Sequence, residues 1–170
     1  MTRMDAVAIR PAEPRDARAI HGLVRELAEY ERLTHLCTGS TDDFARALFG
    51  ERPAAEVLVA EVDDAIVAFA LYFSTFSTFL AKRGLWLEDL YVKPGLRGHG
   101  LGGRLLRAVA AIAIERGCGR FEWSVLDWNA PAIGFYERLG ATVLPDWRIA
   151  RVTGEALASL GRQAPDPRRR

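Results

Sequence analysis

The chain has 170 residues, with 23 Lys and Arg against 22 Asp and Glu and a formal net charge of +1. Its 49% hydrophobic and 26% charged residues are typical of a globular protein. This near-neutral charge argues against a dedicated nucleic-acid binder, whose domain is normally basic. The positive surplus lies at the end of the chain: residues 165–170 contain one Asp and three Arg, a charge of +2, so residues 1–164 sum to −1.

Cysteine and histidine usage indicates neither a disulfide framework nor a metal site. The two cysteines, Cys37 and Cys118, are too few to form a framework of disulfide bonds, and the three histidines are scattered along the sequence. No stretch of 18 apolar residues could span a bilayer, and residues 1–10 lack the apolar core of a signal peptide. We therefore expect a metal-free protein of the reducing cytoplasm without a membrane partner.

The first half of the chain predicts one strand and two helices ahead of a hairpin. These elements are expected at residues 7–10, 14–32 and 42–49. Ser40 or Thr41 is a candidate N-cap for the shorter helix, and Gly50 is expected to end it. The hairpin strands are expected at residues 57–62 and 66–73, joined by a turn at Asp63-Asp64.

The second half predicts strands that alternate with helices. Strands are expected at residues 86–92, 121–126 and 147–152, and helices after a glycine-rich turn up to about Arg116 and at residues 131–139. From residue 164 the chain is rich in Pro and Arg, so we expect residues 164–170 to form a disordered basic tail and residues 5–163 a single domain. Hairpins followed by strand–helix–strand units predict an α/β (α+β mixed) fold, with a mixed sheet and helices on both faces.

The most informative segment is Leu96-Arg97-Gly98-His99-Gly100-Leu101-Gly102-Gly103, between a predicted strand and a predicted helix. Glycines let consecutive backbone N–H groups converge on one point, and a helix N-terminus favours anions. Arg97 adds a planar donor fork suited to phosphate. The segment lacks the Gly-Lys-Ser/Thr of a P-loop and the G-x-G-x-x-G of a dinucleotide site. It predicts a phosphate or pyrophosphate site; the alternative is a turn that only lets the helix pack closely on the sheet.

The segment Arg97-Gly98-His99-Gly100-Leu101-Gly102 resembles the Arg/Gln-x-x-Gly-x-Gly/Ala loop by which GNAT-superfamily acyltransferases hold the pyrophosphate of acetyl-coenzyme A. Three further segments are similar to the diamine acetyltransferase branch, which contains the spermidine/spermine and thialysine acetyltransferases. They are Leu87-Glu88-Asp89-Leu90-Tyr91-Val92, Val125-Leu126-Asp127-Trp128-Asn129 and Phe135-Tyr136-Glu137-Arg138-Leu139-Gly140-Ala141. The similarity runs from about Val7 to Leu160.

This resemblance implies a GNAT fold, with a central, mixed, partly splayed sheet of about six or seven strands. It implies an acetyl-coenzyme A-dependent N-acetyltransferase that acts on a primary amine of a small cationic substrate, such as a polyamine, a diamine or thialysine. It also implies a homodimer. Two alternatives stay open: a GNAT enzyme that acetylates a protein lysine or N-terminus, and a non-catalytic coenzyme-binding module.

The resemblance also assigns catalytic residues. Glu88 matches the carboxylate proposed to accept the proton of the amine, and Tyr136 matches the tyrosine proposed to protonate the leaving thiolate. Adjacent residues on a strand point to opposite faces, so Glu88 and Asp89 reach one site only if a β-bulge turns them together. The alternatives are a solvated acidic pair and, for Tyr136, a core aromatic beside Phe135.

Coenzyme contacts are implied for two further sets of residues. Backbone groups of Leu90, Tyr91 and Val92 are expected to pair with the pantetheine arm, with the Leu90 N–H as an oxyanion donor. Besides the loop from Arg97 to Gly103, contacts are implied for Asn129, Ala132 and Tyr136. Asn129 precedes Ala130-Pro131, so helix capping alone also explains it.

The candidate substrate residues are acidic or aromatic, because such side chains attract a cationic amine. They are Tyr30, Glu31, Glu88, Asp89, Glu122, Trp123, Ser124, Asp127 and Trp128. Individually each is also explained as a surface charge or a core aromatic. The hypothesis therefore depends on whether the fold brings them together.

Overall fold

The computed structural model describes residues 7–164 of the chain. The described residues divide into two compact units, the first ending at Trp128 and the second beginning at Asn129. The expected basic tail lies outside the described residues, apart from Ala164.

The first unit contains a five-stranded sheet. Its strands are β1 (Ala8–Pro11), β2 (Glu56–Val62), β3 (Ala65–Ser77), β4 (Lys82–Val92) and β5 (Arg120–Trp123), hydrogen-bonded in that order. Only β4 and β5 run parallel, so the predicted mixed sheet is confirmed. The hairpin turn falls at Asp63 and Asp64, both with positive φ, as predicted.

Helices α1 (Ala17–Tyr30) and α2 (Thr41–Phe49) pack on one face of this sheet. The buried side chains of α1 recur at helical spacing, because one apolar stripe of the helix faces the core. They are Ala17, Ile20, Leu23 and Leu27. The sheet residues in the same cluster are Val57, Val59, Phe69, Leu71 and Tyr91. We call this side of the sheet the α1 face.

The ends of α2 agree with the prediction from its capping residues. Ser40 is the N-cap: its Oγ accepts a hydrogen bond from the backbone N–H of Asp43 at 3.1 Å, and the Asp43 carboxylate accepts one from the Ser40 N–H at 2.9 Å. This reciprocal pair satisfies two backbone donors at the start of the helix. Gly50 follows the last residue of the helix, as expected.

Helix α3 (Leu101–Glu115) contacts β2, β3, β4 and β5. Sheet residues that alternate with those of the α1 face are also buried, and they include Leu58, Ala60, Ala68 and Ala70. Because successive strand residues point to opposite faces, these residues lie on the side of α3, which we call the α3 face. The prediction of helices on both faces of the sheet is confirmed.

Strands β4 and β5 pair over only four residues. Gly84 to Leu87 lie opposite Arg120 to Trp123, whereas β4 continues to Val92 and β5 ends. Within the described part of the chain, residues 88–92 therefore have a strand partner only on the β3 side. This arrangement agrees with the expected partial splay and leaves backbone N–H and C=O groups along one edge of β4.

The second unit contains helices α4 (Ala130–Arg138) and α5 (Gly154–Arg162). Residues 147–152, predicted as a strand, form none, so the described sheet has five strands instead of six or seven. A strand forms only where a neighbouring strand pairs with it, and a single sequence does not show the neighbour. Helix α5, which the sequence analysis did not predict, has Glu155 in its first turn and Arg162 in its last, charges that suit the helix dipole.

Gly84, where β4 starts to pair with β5, provides a test of this packing. A Cβ at Gly84 would lie 2.6 Å from Thr75 Oγ1 and 3.4 Å from the backbone oxygen of Arg120. We expect Gly84→Ala to lower the free energy of unfolding by about 1–3 kcal/mol, because the neighbouring strands must move. Urea denaturation measures the change. Gly95→Ala is the matched control, since a Cβ there meets nothing within 4 Å; equal stability of the two variants would contradict the tight contact at Gly84.

Candidate active site

A β-bulge in β4 turns Glu88 and Asp89 toward the same face of the sheet. In the β3–β4 register Leu71 lies opposite Asp89 and Tyr72 lies opposite Leu87, so Glu88 is the additional residue. Directly opposed residues share a face, which places Asp89 on the α1 face with Leu71. Trp86 lies opposite Phe73, on that same face, and its Nε1 donates a hydrogen bond to Glu88 Oε2 at 2.9 Å. The sequence analysis required a β-bulge for Glu88 and Asp89 to reach one site, and the structure has that bulge at Glu88.

Asp89 has the most perturbed carboxyl group of this cluster. Burial, together with the negative charges of Glu88 and Glu31, raises the pKa of Asp89 to about 7. Burial also raises the pKa of Glu31 above its ordinary value. The fold therefore brings together three of the predicted substrate residues in one acidic cluster: Glu31, Glu88 and Asp89. A carboxylate whose pKa lies near neutrality is suited to proton transfer.

The C-terminal end of α1 adds aromatic rings to this region. The rings of Tyr30 and Trp128 lie 6.2 Å apart between centroids, and Trp128 is 54% exposed. The guanidinium of Arg32 lies 6.0 Å from the centroid of the Trp128 ring. Tyr30, Glu31 and Trp128, which the sequence assigned to the substrate, thus lie around one helix end.

Arg97 lies over aromatic rings at the start of the glycine-rich turn. Its Nε donates a hydrogen bond to the backbone oxygen of Val92 at 2.8 Å. Its guanidinium carbon lies 4.9 Å from the centroid of the Tyr30 ring and 5.2 Å from that of Tyr91. Arg97 therefore connects the end of β4 to the end of α1, a contact that sequence reasoning did not anticipate.

The glycines before α3 are required by backbone conformation. Gly98 and Gly100 have φ values of 79° and 80°, in the left-handed region that favours glycine. A Cβ at either position would meet nothing within 4 Å, so close packing on the sheet does not explain these two residues. The N–H groups at the start of α3, from Gly100, Leu101, Gly102 and Gly103, are those at which a helix N-terminus attracts anions, whereas the Arg104 N–H already donates to Gly100 O at 3.0 Å. His99 lies beside them, its Nδ1 2.8 Å from the backbone oxygen of Arg97.

Tyr91 is a core residue whose backbone belongs to the splayed part of β4. Its side chain is 5% exposed, and its hydroxyl donates a hydrogen bond to Glu26 Oε2 at 3.0 Å. Burial and this contact with Glu26 raise the pKa of the Tyr91 phenol. The neighbours Leu90 and Val92 are half-buried. The backbone of residues 90–92 lies along the open edge of β4. The predicted pairing of this backbone with a pantetheine arm stays a prediction.

In the second unit the structure confirms a cap and places a tyrosine. Asn129 is the N-cap of α4, its Oδ1 accepting a hydrogen bond from the N–H of Ala132 at 3.3 Å. Tyr136 lies on α4, with its ring centroid 5.1 Å from that of Phe135. The coenzyme contacts of Asn129 and Ala132 and the acid role of Tyr136 stay predictions.

The remaining predicted substrate residues lie on β5, which holds Glu122 and Trp123, and in the segment after it, which holds Ser124 and Asp127. Arg120 Nε lies 2.6 Å from Glu122 Oε2, and the rings of Phe121 and Trp123 are in edge contact at 5.0 Å. Ser124 and Asp127 are exposed.

Sequence reasoning missed three side chains that shape this region. Trp86 is two residues before Glu88, the strand spacing that puts side chains on one face. Glu26 precedes Tyr30 by one helical turn on α1. Arg32 directly follows Glu31 at the end of the predicted helix, where no local sequence signal distinguishes it.

The described residues contain no group of three or more His, Cys, Asp or Glu side chains that could hold a metal ion. Cys37 and Cys118 are both free. Among residues 7–164, no helix has the length and apolar character needed to cross a membrane.

The sequence matches the model of the acetyltransferase (GNAT) family over residues 20–141. It is 39% identical to thialysine N-epsilon-acetyltransferase from Sus scrofa, over 92% of this chain and 98% of that protein. It is 35% identical to L-ornithine N5-acetyltransferase NATA1 from Arabidopsis thaliana, over 89% of this chain and 86% of that protein. The fold is similar to that of an integron cassette protein from the mobile metagenome of V. cholerae, with a TM-score of 0.78, 27% identity and coverage of 92% and 98%.

The raised pKa of Asp89 predicts a pH-dependent loss of stability. Because the folded-state pKa is about 7, above the ordinary 3.8, the folded protein binds more protons than the unfolded chain between these values, and its stability falls as pH rises through them. We expect Asp89→Asn to be more stable than the wild type at pH 8, by up to about 4 kcal/mol, and the difference to vanish below about pH 4. Thermal and urea denaturation across this range measure it.

Glu88, the exposed residue next to Asp89, provides the matched control for this prediction. Glu88→Gln should change stability far less than Asp89→Asn, because Glu88 lies at the surface. A stability difference between Asp89→Asn and the wild type that does not depend on pH would contradict the raised pKa.

Proposed function

The chain belongs to the acetyltransferase (GNAT) family and is an N-acetyltransferase, and we propose that it transfers the acetyl group of acetyl-coenzyme A to a primary amine of a small cationic substrate. The observation that carries this proposal is the acidic cluster of Glu31, Glu88 and Asp89 at the splayed part of β4. Carboxylates attract an ammonium group and can accept its proton, which must leave before the nitrogen attacks. We propose residues 5–163 as one catalytic domain.

The residues around β4 and α3 fit the coenzyme. The open edge of residues 88–92 offers backbone groups to the amides of a pantetheine arm, in the manner of an added strand. The loop from Arg97 to Gly103 presents N–H groups and a helix N-terminus, which suit a pyrophosphate. Asn129 and Ala132 are proposed as further contacts, on the resemblance alone.

Proton removal is assigned to the two carboxylates of the bulge. Asp89, whose pKa is about 7, is matched to take a proton from the bound ammonium near neutral pH. Glu88 is exposed and held by the indole of Trp86, so it passes the proton to solvent or accepts it through a water molecule. The amine nitrogen then forms a bond to the thioester carbonyl carbon as the carbon–sulfur bond breaks. The Leu90 N–H stabilises the oxyanion, and Tyr136 gives its phenolic proton to the thiolate. The proton that the nitrogen loses on forming the amide is released to solvent, from which the Tyr136 phenolate takes up a proton.

The substrate site combines negative charge with aromatic rings. Glu31, Glu88 and Asp89 favour a cation over a neutral amine, and Tyr30 and Trp128 provide ring faces for it. Glu122, Trp123, Ser124 and Asp127 are kept as outer candidates. The relatives named for thialysine and L-ornithine support a small amine as the acceptor. A protein lysine or N-terminus is the alternative acceptor.

Two further properties follow from the resemblance. We propose a homodimer, with which the exposed apolar side chains of Trp147, Ile149 and Leu157 are consistent. We propose the cytoplasm as the location, which suits the free thiols of Cys37 and Cys118.

A thiol-release assay with acetyl-coenzyme A tests the proposed reaction. We expect turnover with at least one member of a panel of diamines, polyamines, thialysine and cationic amino acids, because the acidic cluster selects small cations. Turnover with peptides alone would favour the protein-directed alternative. Coenzyme binding without turnover of any amine would indicate a non-catalytic module and contradict the proposal.

Tyr136→Phe tests the acid role. Without the phenolic proton the thiolate leaves poorly, so kcat should fall by about 10²-fold or more while the dissociation constant for the coenzyme changes little. Calorimetry measures coenzyme binding. Tyr72→Phe is the matched control, because Tyr72 lies on the sheet beside Arg116 and outside the acidic cluster. An unchanged kcat in Tyr136→Phe would remove Tyr136 from its role.

A further inference from the structure

The C-terminal end of α1 holds an arginine where backbone geometry favours glycine. Arg32 has a φ of 61°, in the left-handed region that Gly or Asn usually occupies after a helix. Hydrogen bonds from the Arg32 N–H to Glu29 O at 3.1 Å and from the Leu33 N–H to Ala28 O at 2.8 Å close the helix there. A large side chain at such a position is conformationally unfavourable and suggests a role for the side chain itself.

The Arg32 guanidinium is exposed and has no ion-pair partner among residues 7–164. It lies over the ring of Trp128, 6.0 Å from the centroid, and an aromatic face beneath a guanidinium leaves the edge of its planar fork open to an anion. Arg97, the other arginine of this region, already donates its Nε to Val92 O. Since Arg97 is also proposed to hold the pyrophosphate, Arg32 is the guanidinium that we assign to the amine substrate at this helix end.

Positive and negative charge meet at this helix end. Glu31, the residue before Arg32, belongs to the acidic cluster and its charge contributes to the raised pKa of Asp89. Trp128 lies beside Tyr30, so the aromatic rings lie between the guanidinium of Arg32 and that of Arg97. A ligand that spans the cluster and Arg32 must carry an ammonium at one end and an anion at the other.

We propose that Arg32 binds the α-carboxylate of a cationic amino acid whose side-chain amine lies at the acidic cluster, and that Arg32 thereby selects amino acids over diamines and polyamines. This inference rests on the proposed acetyl transfer to a small amine. A guanidinium pairs with a carboxylate through two parallel hydrogen bonds. A diamine or polyamine has only positive charges and would meet repulsion at Arg32.

Matched substrate pairs test this assignment. L-ornithine and putrescine carry the same side-chain amine with and without the carboxylate, as do L-lysine and cadaverine. We expect kcat/KM of the wild type to be at least about tenfold higher for each amino acid than for its diamine, since a charge-assisted pair is worth about 10- to 100-fold.

Variants at Arg32 test whether this residue causes the preference for amino acids over diamines. Arg32→Gln should lower kcat/KM for the amino acids about 10- to 100-fold, mainly by raising KM, and leave the diamines unchanged or improved. Arg32→Lys should restore part of the preference. Arg32→Gly should also lose the preference while its melting temperature rises, because glycine tolerates the left-handed conformation. Arg107→Gln, at an exposed position on α3, should behave as the wild type.

The outcomes separate this inference from the function on which it rests. The role of Arg32 is overturned if the wild type has the same kcat/KM for each amino acid and its diamine. It is also overturned if Arg32→Gln lowers kcat/KM equally for both. In either case the proposed acetyl transfer is unaffected. Acetylation of neither member, nor of any amine in the wider panel, overturns the proposed function and this inference together.

Discussion

An extra residue in β4 determines which side chains reach the acidic site. Before the bulge, Leu87 lies opposite Tyr72, away from the α1 face; after it, Asp89 and Tyr91 lie on the α1 face, opposite Leu71 and Phe69. In a regular strand Asp89 would share a face with Leu87, and its carboxylate would be directed toward α3. The bulge therefore allows β4 to hold two adjacent carboxylates on the α1 face, near the end of α1.

The same geometry makes the cluster unfavourable in the free protein. Asp89 is half-buried next to the negative charges of Glu88 and Glu31, and a carboxylate that is partly shielded from water near like charges favours its protonated form. An ammonium substrate would offset that repulsion. The arrangement that lowers the stability of the free protein therefore also favours binding of a cation. This is the expected balance at a site that must both attract a cation and accept its proton.

A short stretch of chain carries most of the proposed chemistry. The carboxylates of the bulge, the open edge of β4 and the glycine turn follow one another between Trp86 and Gly103. This continuity made the site visible from one sequence, because turn glycines, caps and the strand pattern are local signals. The strand expected at residues 147–152 shows the limit of such signals, because these residues pair with none of the described strands.

The sequence by itself determined the mixed α/β fold, the caps at Ser40 and Asn129, the glycine turn and the family, because each depends on residues close together in the chain. Only the tertiary structure decided that the bulge falls at Glu88, that Asp89 rather than Glu88 carries the pKa near neutrality, and that Arg32 lies over Trp128. These features depend on strand register and on burial, which join residues far apart in the sequence.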